Sequence, residues 1–131
     1  MQSEVLESVN ESAIGLALSN FAQNRLYMQL RDQPTEKFAF GGDFTYKSEM
    51  FGGQPDSAAG YNSDLNEYSI VVPSYSVINL FANYNATDNM TLRLNIGNIA
   101  DKEYWTAAYR SGAFMCLGDA RTVRTTLTYE F

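Results

Sequence analysis

The stretch that most constrains the fold is the last one, Arg121-Thr-Val-Arg-Thr-Thr-Leu-Thr-Tyr-Glu-Phe131. Val123, Thr125, Leu127, Tyr129 and Phe131 fall on one face; Thr122, Arg124, Thr126, Thr128 and Glu130 fall on the other. An unbroken period of two describes a strand with one apolar side and one wet side. An aromatic end suits the rim of a membrane barrel, whose lipid face finishes in an aromatic girdle. It suits an amphipathic strand of a soluble sheet equally well, and this stretch alone does not choose between them.

Three further stretches alternate in the same way. In Lys37–Lys47, Phe38, Phe40, Phe44 and Tyr46 share a face with Gly42, opposite Ala39, Gly41, Asp43 and Thr45. That face is too greasy for solvent, and its reverse is too small and polar for a buried sandwich strand; lipid outside and a wet lumen inside satisfy both. In Pro73–Tyr84, Ile78, Leu80, Ala82 and Tyr84 oppose Asn79 and Asn83, with Val77 and Phe81 less polar than the pattern asks. In Met90–Gly97, Met90, Leu92, Leu94 and Ile96 oppose Thr91, Arg93, Asn95 and Gly97. Arg25–Leu30 reads as extended. The segment before it, from Ala13, fits either a helix through Ile14 and Leu18 or broken strands. Residues 1–24 are expected to be an irregular or weakly structured lead-in, and residues 25–131 the strands.

The connections alternate in length. Arg31–Glu36, where Pro34 fixes φ, and Asn85–Asn89 read as short turns. Ser48–Val72 and Asn98–Ala120 read as long loops, of a length that is uncommon in compact domains. Short turns on one side and long loops on the other is the asymmetry of outer-membrane barrels. Phe38, Tyr84, Tyr129 and Phe131 are expected at the short-turn rim, and Tyr46, Tyr75, Tyr104 and Trp105 at the long-loop rim.

Composition narrows the function. The chain has the length of one domain, a net charge of -6 and no basic block, which argues against a nucleic-acid partner. Histidine is absent and Cys116 is the single cysteine, so the usual general base, His/Cys metal clusters and an intramolecular disulfide are missing. No phosphate-binding glycine loop precedes a helix, so an enzyme is not expected. No cofactor is expected either. No run approaches the roughly 18 apolar residues of a spanning helix, a fact that leaves barrels open. Met1–Asn10 has neither a basic nor an apolar segment and does not read as a signal peptide.

Several motifs stand in one order: Val72-Pro-Ser-Tyr75, Leu92-Arg-Leu-Asn-Ile-Gly-Asn-Ile-Ala-Asp-Lys-Glu-Tyr104, Gly118-Asp-Ala-Arg121 and the Phe-ended strand. Together they resemble the carboxy-terminal end of TonB-dependent outer-membrane receptors. Tyr104–Phe114 resembles the ferric-siderophore branch, nearest to catecholate receptors. The resemblance runs from about Asp32 to Phe131 and departs at Ala100 and Ala120, where the family commonly has Phe and Pro.

The resemblance implies an all-β, antiparallel up-and-down meander of about four to five strands, the C-terminal segment of a transmembrane β-barrel, with a short helix or irregular N-terminus. It implies a place in the outer membrane and a share in TonB-powered uptake of a ferric siderophore, the transported ligand of the intact receptor. No plug domain, TonB-contacting box or export signal is read in the chain, which is not expected to transport alone. The implied partners are membrane lipid, the rest of the barrel and plug, the TonB complex through that plug, and the barrel-assembly machinery through the last strand, with Tyr129 and Phe131 at the closure. Asn98, Asp101, Lys102 and Tyr104 are expected to form a strand-ending corner. Gly118 is expected to supply an unusual φ, and Arg121 to brace against a carboxylate. Arg93 and Arg124, like charges on neighbouring wet faces, call for Glu130, Asp43 or the plug as compensation.

A ferric catecholate is anionic and aromatic, so Trp105, Tyr109, Arg110 and Arg121 are candidate ligand residues through stacking and charge. Loop packing and the interfacial belt explain the same aromatics and carry more weight. Two rival functions remain: a small soluble β-domain that binds a ligand or partner through its long loops, and a truncated remnant without function.

Overall fold

The computed structural model describes residues 3–9, 11–52, 59–68, 70–109 and 113–131. A single 3-10 turn at Glu11–Ala13 precedes β1 (Arg25–Thr35), β2 (Phe38–Lys47), β3 (Met50–Gly52), β4 (Tyr61–Asn62), β5 (Glu67–Tyr68) and β6 (Ile70–Val72). Then follow β7 (Tyr75–Thr87), β8 (Met90–Gly97), β9 (Trp105–Tyr109), β10 (Phe114–Leu117) and β11 (Thr122–Tyr129). The helix that Ile14 and Leu18 allowed does not form; Ala17 instead bridges Glu4. The elements fall into two compact units, one of Leu26–Thr45, Ser76–Glu103 and Asp119–Phe131, the other of Met1–Arg25, Tyr46–Tyr75 and Tyr104–Gly118.

The first unit is a sheet in the order β1-β2-β7-β8-β11, an up-and-down meander. The antiparallel registers align its faces. Leu80, Ile96 and Val123 form one cross-strand row, Ala82, Leu94 and Thr125 a second, Tyr84, Leu92 and Leu127 a third, and Met90 lies beside Tyr129. The rows between them are Phe81, Asn95 and Arg124, then Asn83, Arg93 and Thr126, then Asn85, Thr91 and Thr128. A slip of one residue would mix the two sets, so the alternation fixes the register.

The apolar face is not a core. Leu80, Tyr84, Leu92, Val123, Leu127 and Tyr129 stay between 38% and 66% exposed. Each Å² left in water forgoes about 25 cal/mol, and soluble monomers rarely tolerate so wide a patch. A wall with lipid on one side has no such cost.

Phe81, the large ring on the polar face, is explained by Gly41. A Cβ on Gly41 would stand 2.7 Å from the Phe81 ring, so the ring occupies the space that a side chain would have taken.

Both short turns are tighter than the sequence suggests. β1 continues through Pro34 to Thr35 and the chain reverses over Glu36 and Lys37, with the Phe38 N–H donating to Thr35 Oγ1 at 3.0 Å. β1 is an edge strand, where a missing N–H is tolerated. At the second turn, β7 runs on to Thr87, which pairs with Met90 across a register shift. The Asn85 N–H donates to Lys37 O at 2.8 Å, and its side chain accepts from Thr91 Oγ1 at 3.1 Å, which holds it in the strand.

The second unit contains Ser48–Val72 and the Tyr104–Gly118 part of Asn98–Ala120, and these connections are not structureless. Ser48–Val72 contains the β3–β6 ladder and the β4–β5 hairpin; Asn98–Ala120 contains the β9–β10 ribbon. Met50, Val72, Ala59 and Ala108 are buried in this unit. The lead-in is stitched on: Asn20, at φ 58°, both donates to Ala108 O (2.9 Å) and accepts from Ala108 N–H (2.8 Å). Its amide thereby occupies the position of a neighbouring strand.

Candidate functional site

Two places bear on function: the corner after β8 and the β9–β10 ribbon. The corner is built on Asn98, which is 2% exposed with φ 47°. Asparagine tolerates the left-handed region better than most residues, and its amide can satisfy several backbone groups at once. The Asn98 amide donates to Lys102 O (2.8 Å) and Asp119 O (2.9 Å) and accepts from Lys102 N–H (2.9 Å). Its own N–H donates to Asn79 Oδ1 at 2.9 Å, and the Asn79 amide donates to Asp43 at 2.8 Å. One side chain thus joins the end of β8 to the chain entering β11, and a relay through Asn79 reaches β2.

Asp101, at φ 52°, donates its N–H to Asn98 O (2.8 Å) and receives the Arg121 N–H at 3.0 Å and the Arg121 guanidinium at 3.4 Å. This is the expected brace. Both side chains are about half exposed, so the ion pair itself contributes little, about 0–1 kcal/mol; the buried Asn98 bonds dominate the corner. Lys102 takes part through its backbone and makes no ion pair among the described residues.

Two expectations need correction. Gly118 is not at a positive φ; among the described glycines only Gly15 is. Gly118 is required because the Tyr104 ring lies against it, where a Cβ would stand 2.2 Å from the ring carbons. Tyr75 and Tyr104 are not outward girdle residues. Tyr75 is 5% exposed and packs on Tyr104 with ring centroids 4.5 Å apart, under the Lys47 ammonium at 5.7 Å.

Of the described candidate ligand residues, Trp105 and Tyr109 belong to one unit and Arg121 to the other. Trp105 and Tyr109 lie at the two ends of β9, opposite Leu117 and Phe114, and Tyr109 is exposed. Arg121 belongs to the other unit and its guanidinium is engaged by Asp101. Arg110 lies outside the described residues. The Tyr129 ring at the end of the exposed edge strand β11 and the Phe131 ring just beyond that strand stand 5.9 Å apart. The sequence reading missed Asn79 and Asn20, whose partners are 19 and 88 residues away. Among the described residues no group of acids and cysteines is spaced to hold a metal ion.

No family model matches the chain. Several curated proteins are similar to it in sequence, two of them as follows. The vitamin B12 transporter BtuB of Vibrio vulnificus is 33% identical over 88 residues, 66% of this chain and 14% of that protein. BfrD of Bordetella pertussis, described as a probable TonB-dependent receptor, is 31% identical over 91 residues, 70% of this chain and 12% of that protein. The chain therefore spans about one seventh of the length of these relatives. In fold it is similar to the ferric-catecholate import receptor Fiu of E. coli K12, with a TM-score of 0.72 at 18% identity, over 95% of this chain and 16% of that one. A five-stranded meander with an apolar outer face, matched in sequence and in fold to these receptors, belongs to the family of TonB-dependent outer-membrane receptors.

Proposed function

We propose that the chain forms the carboxy-terminal wall of a receptor barrel that takes up a ferric siderophore of the catecholate type across the outer membrane. The observation that carries this reading is the division of the sheet: one continuous apolar face left exposed, backed by rows of Asn, Arg and Thr. Such a sheet suits lipid on one side and a wet lumen on the other. The motifs around Tyr104–Phe114 support the siderophore reading, and the fold likeness to a ferric-catecholate receptor is in keeping with it. In this reading the plug reaches TonB, β11 closes onto the first barrel strand, and Tyr129 and Phe131 are read by the assembly machinery.

The ribbon β9–β10 contributes Trp105 and Tyr109 as flat surfaces for the aromatic chelate. Arg110 follows directly as a cation for its charge, whereas Arg121 serves as the brace of the corner. Stacking contributes about 0.5–1.5 kcal/mol per aromatic pair. In the full-length receptor, the double change Trp105→Ala and Tyr109→Ala is expected to raise the Kd for a ferric catecholate roughly ten- to a hundredfold. Fluorescence titration with the iron-loaded chelate measures it. A Kd unchanged in the double variant would return both rings to loop packing.

A further inference from the structure

Two cations meet where β1 begins and β2 ends, and neither makes an ion pair among the described residues. The Ser48 N–H donates to Asn24 O at 2.9 Å, and the Asn24 N–H donates to Ser48 Oγ at 3.1 Å. That pairing sets Arg25, the first residue of β1, opposite Lys47, the last of β2. Each cation lies over a ring. The Arg25 guanidinium stands 5.0 Å from the Phe21 centroid, and the Lys47 ammonium 5.7 Å from that of Tyr75. Tyr75 is itself fixed, 5% exposed and packed on Tyr104. Phe21, Arg25, Lys47 and Tyr75 all belong to one unit. Side chains an even number of positions apart share one side of a strand. Lys47 therefore falls on the side of Asp43 and Thr45, and Arg25 on the side of Arg31, the polar side of each strand.

From this we infer that Arg25 and Lys47 form a charge-recognition site for the anionic iron chelate, at the long-loop end of the polar side. Like charges opposed across two strands repel, and an anion between them turns one repulsion into two attractions. A salt-bridged cation such as Arg121 has its charge answered within the protein. A cation over a ring is held in place while its charge and its outward N–H donors stay free for a ligand. A ferric catecholate supplies the matching chemistry: dianionic catecholates outweigh the trivalent iron, and their paired oxygens suit the planar fork of Arg25. A lipid phosphate is the poorer match, because Phe44 and Tyr46 mark the opposite side of β2 as the one that meets the membrane. The site rests on the catecholate reading above and adds to it two residues outside the group of Trp105, Tyr109 and Arg110.

The test uses the full-length receptor purified in detergent, with heat-modifiable gel mobility as the check on the barrel. The probe is the iron(III) complex of dihydroxybenzoylserine, titrated by fluorescence quenching. Arg25→Gln with Lys47→Gln is expected to raise its Kd about tenfold, and Arg25→Lys with Lys47→Arg to keep it within about twofold. Raising the salt from about 20 to about 500 mM is expected to weaken binding more in the parent than in the glutamine variant, since the variant lacks the charges that salt screens. A heat-modifiable glutamine variant with the parent's Kd, or with the parent's salt dependence, overturns the site and leaves the receptor reading intact. Should that variant lose heat-modifiable mobility, Arg25→Gln alone, at an exposed side chain, carries the test: a rise of about threefold is expected, and an unchanged Kd overturns the site equally. A parent receptor that does not bind the probe removes the site and the catecholate reading together.

Discussion

Asn98→Ala is expected to lower the unfolding free energy of the receptor barrel by about 3–5 kcal/mol, a large fraction of the stability of an ordinary domain. The side chain is buried and makes three hydrogen bonds, to Lys102 O, Asp119 O and Lys102 N–H. Alanine strands all three backbone groups; because these bonds are only part-buried, water recovers some of the loss, and together they cost about 2–4 kcal/mol rather than the full penalty of about 1–3 kcal/mol for each. Alanine is also poorly suited to the φ of 47°, at a further cost of about 1 kcal/mol. Asn98→Gly separates the two effects, because it removes the strain and keeps the loss of bonds. Asn98→Asp keeps the acceptor for Lys102 N–H but turns an anionic oxygen toward two carbonyls, so it is expected to be no milder than alanine. The midpoint of urea unfolding, followed by heat-modifiable gel mobility, reads all three. A midpoint for the alanine variant equal to that of the parent would show that the corner is not what holds β8 to β11.

Gly118→Ala is expected to cost about 2–4 kcal/mol, the range for forcing an extra methyl into a packed site. Its Cβ would stand 2.2 Å from two ring carbons of Tyr104, far inside contact distance. The ring has little room to retreat, because it packs on the buried Tyr75 and its own carbonyl accepts the Gly118 N–H at 2.8 Å. Removing the ring opens the space. In a double-mutant cycle, Gly118→Ala should cost much less in a Tyr104→Ala background, with a coupling energy of at least about 1 kcal/mol. Strictly additive costs in the same unfolding assay would mean that the clash is relieved elsewhere. The packing also accounts for the spacing between Tyr104 and Gly118: the two are brought together by the β9–β10 ribbon that lies between them.

The sheet was legible because its two faces meet different surroundings. Met90–Gly97 and the last strand alternate without fault, and the register that pairs Leu94 with Thr125 and Asn95 with Arg124 is the one their alternation requires. The turns were less legible. Pro34 signals a turn unless the strand is known to lie at an edge, and nothing local says so. Asn85 looks like a turn residue until its partners at Lys37 and Thr91 are known. The ribbons inside the long connections were invisible because they are so short: β4 and β5 have two residues each, too few to show a period. At the corner, the sequence indicated Asn98, Asp101 and the Arg121 brace, since Asn and Asp favour such backbone. It did not indicate Asn79 or Asp119, which reach Asn98 only through the fold. Gly118 was correctly singled out for the wrong cause, because a glycine needed for a close approach leaves the same sequence signal as one needed for its φ. Arg93 and Arg124 make no ion pair among the described residues, so the expected compensation by Glu130 or Asp43 is not a direct one there.

The account stands on the sheet being a membrane wall, and nitroxide scanning along β8 tests that most directly. Cys116 is first replaced by Ser, and labels are then placed singly from Met90 to Gly97 in the full-length receptor, reconstituted in lipid. Collision with oxygen, which concentrates in the bilayer, should peak at positions 90, 92, 94 and 96. Collision with a water-soluble nickel chelate should peak at 91, 93, 95 and 97, so that the two profiles alternate with a period of two. Labels that meet the nickel chelate equally at every position, with no oxygen preference at Leu92 and Leu94, would contradict the assignment.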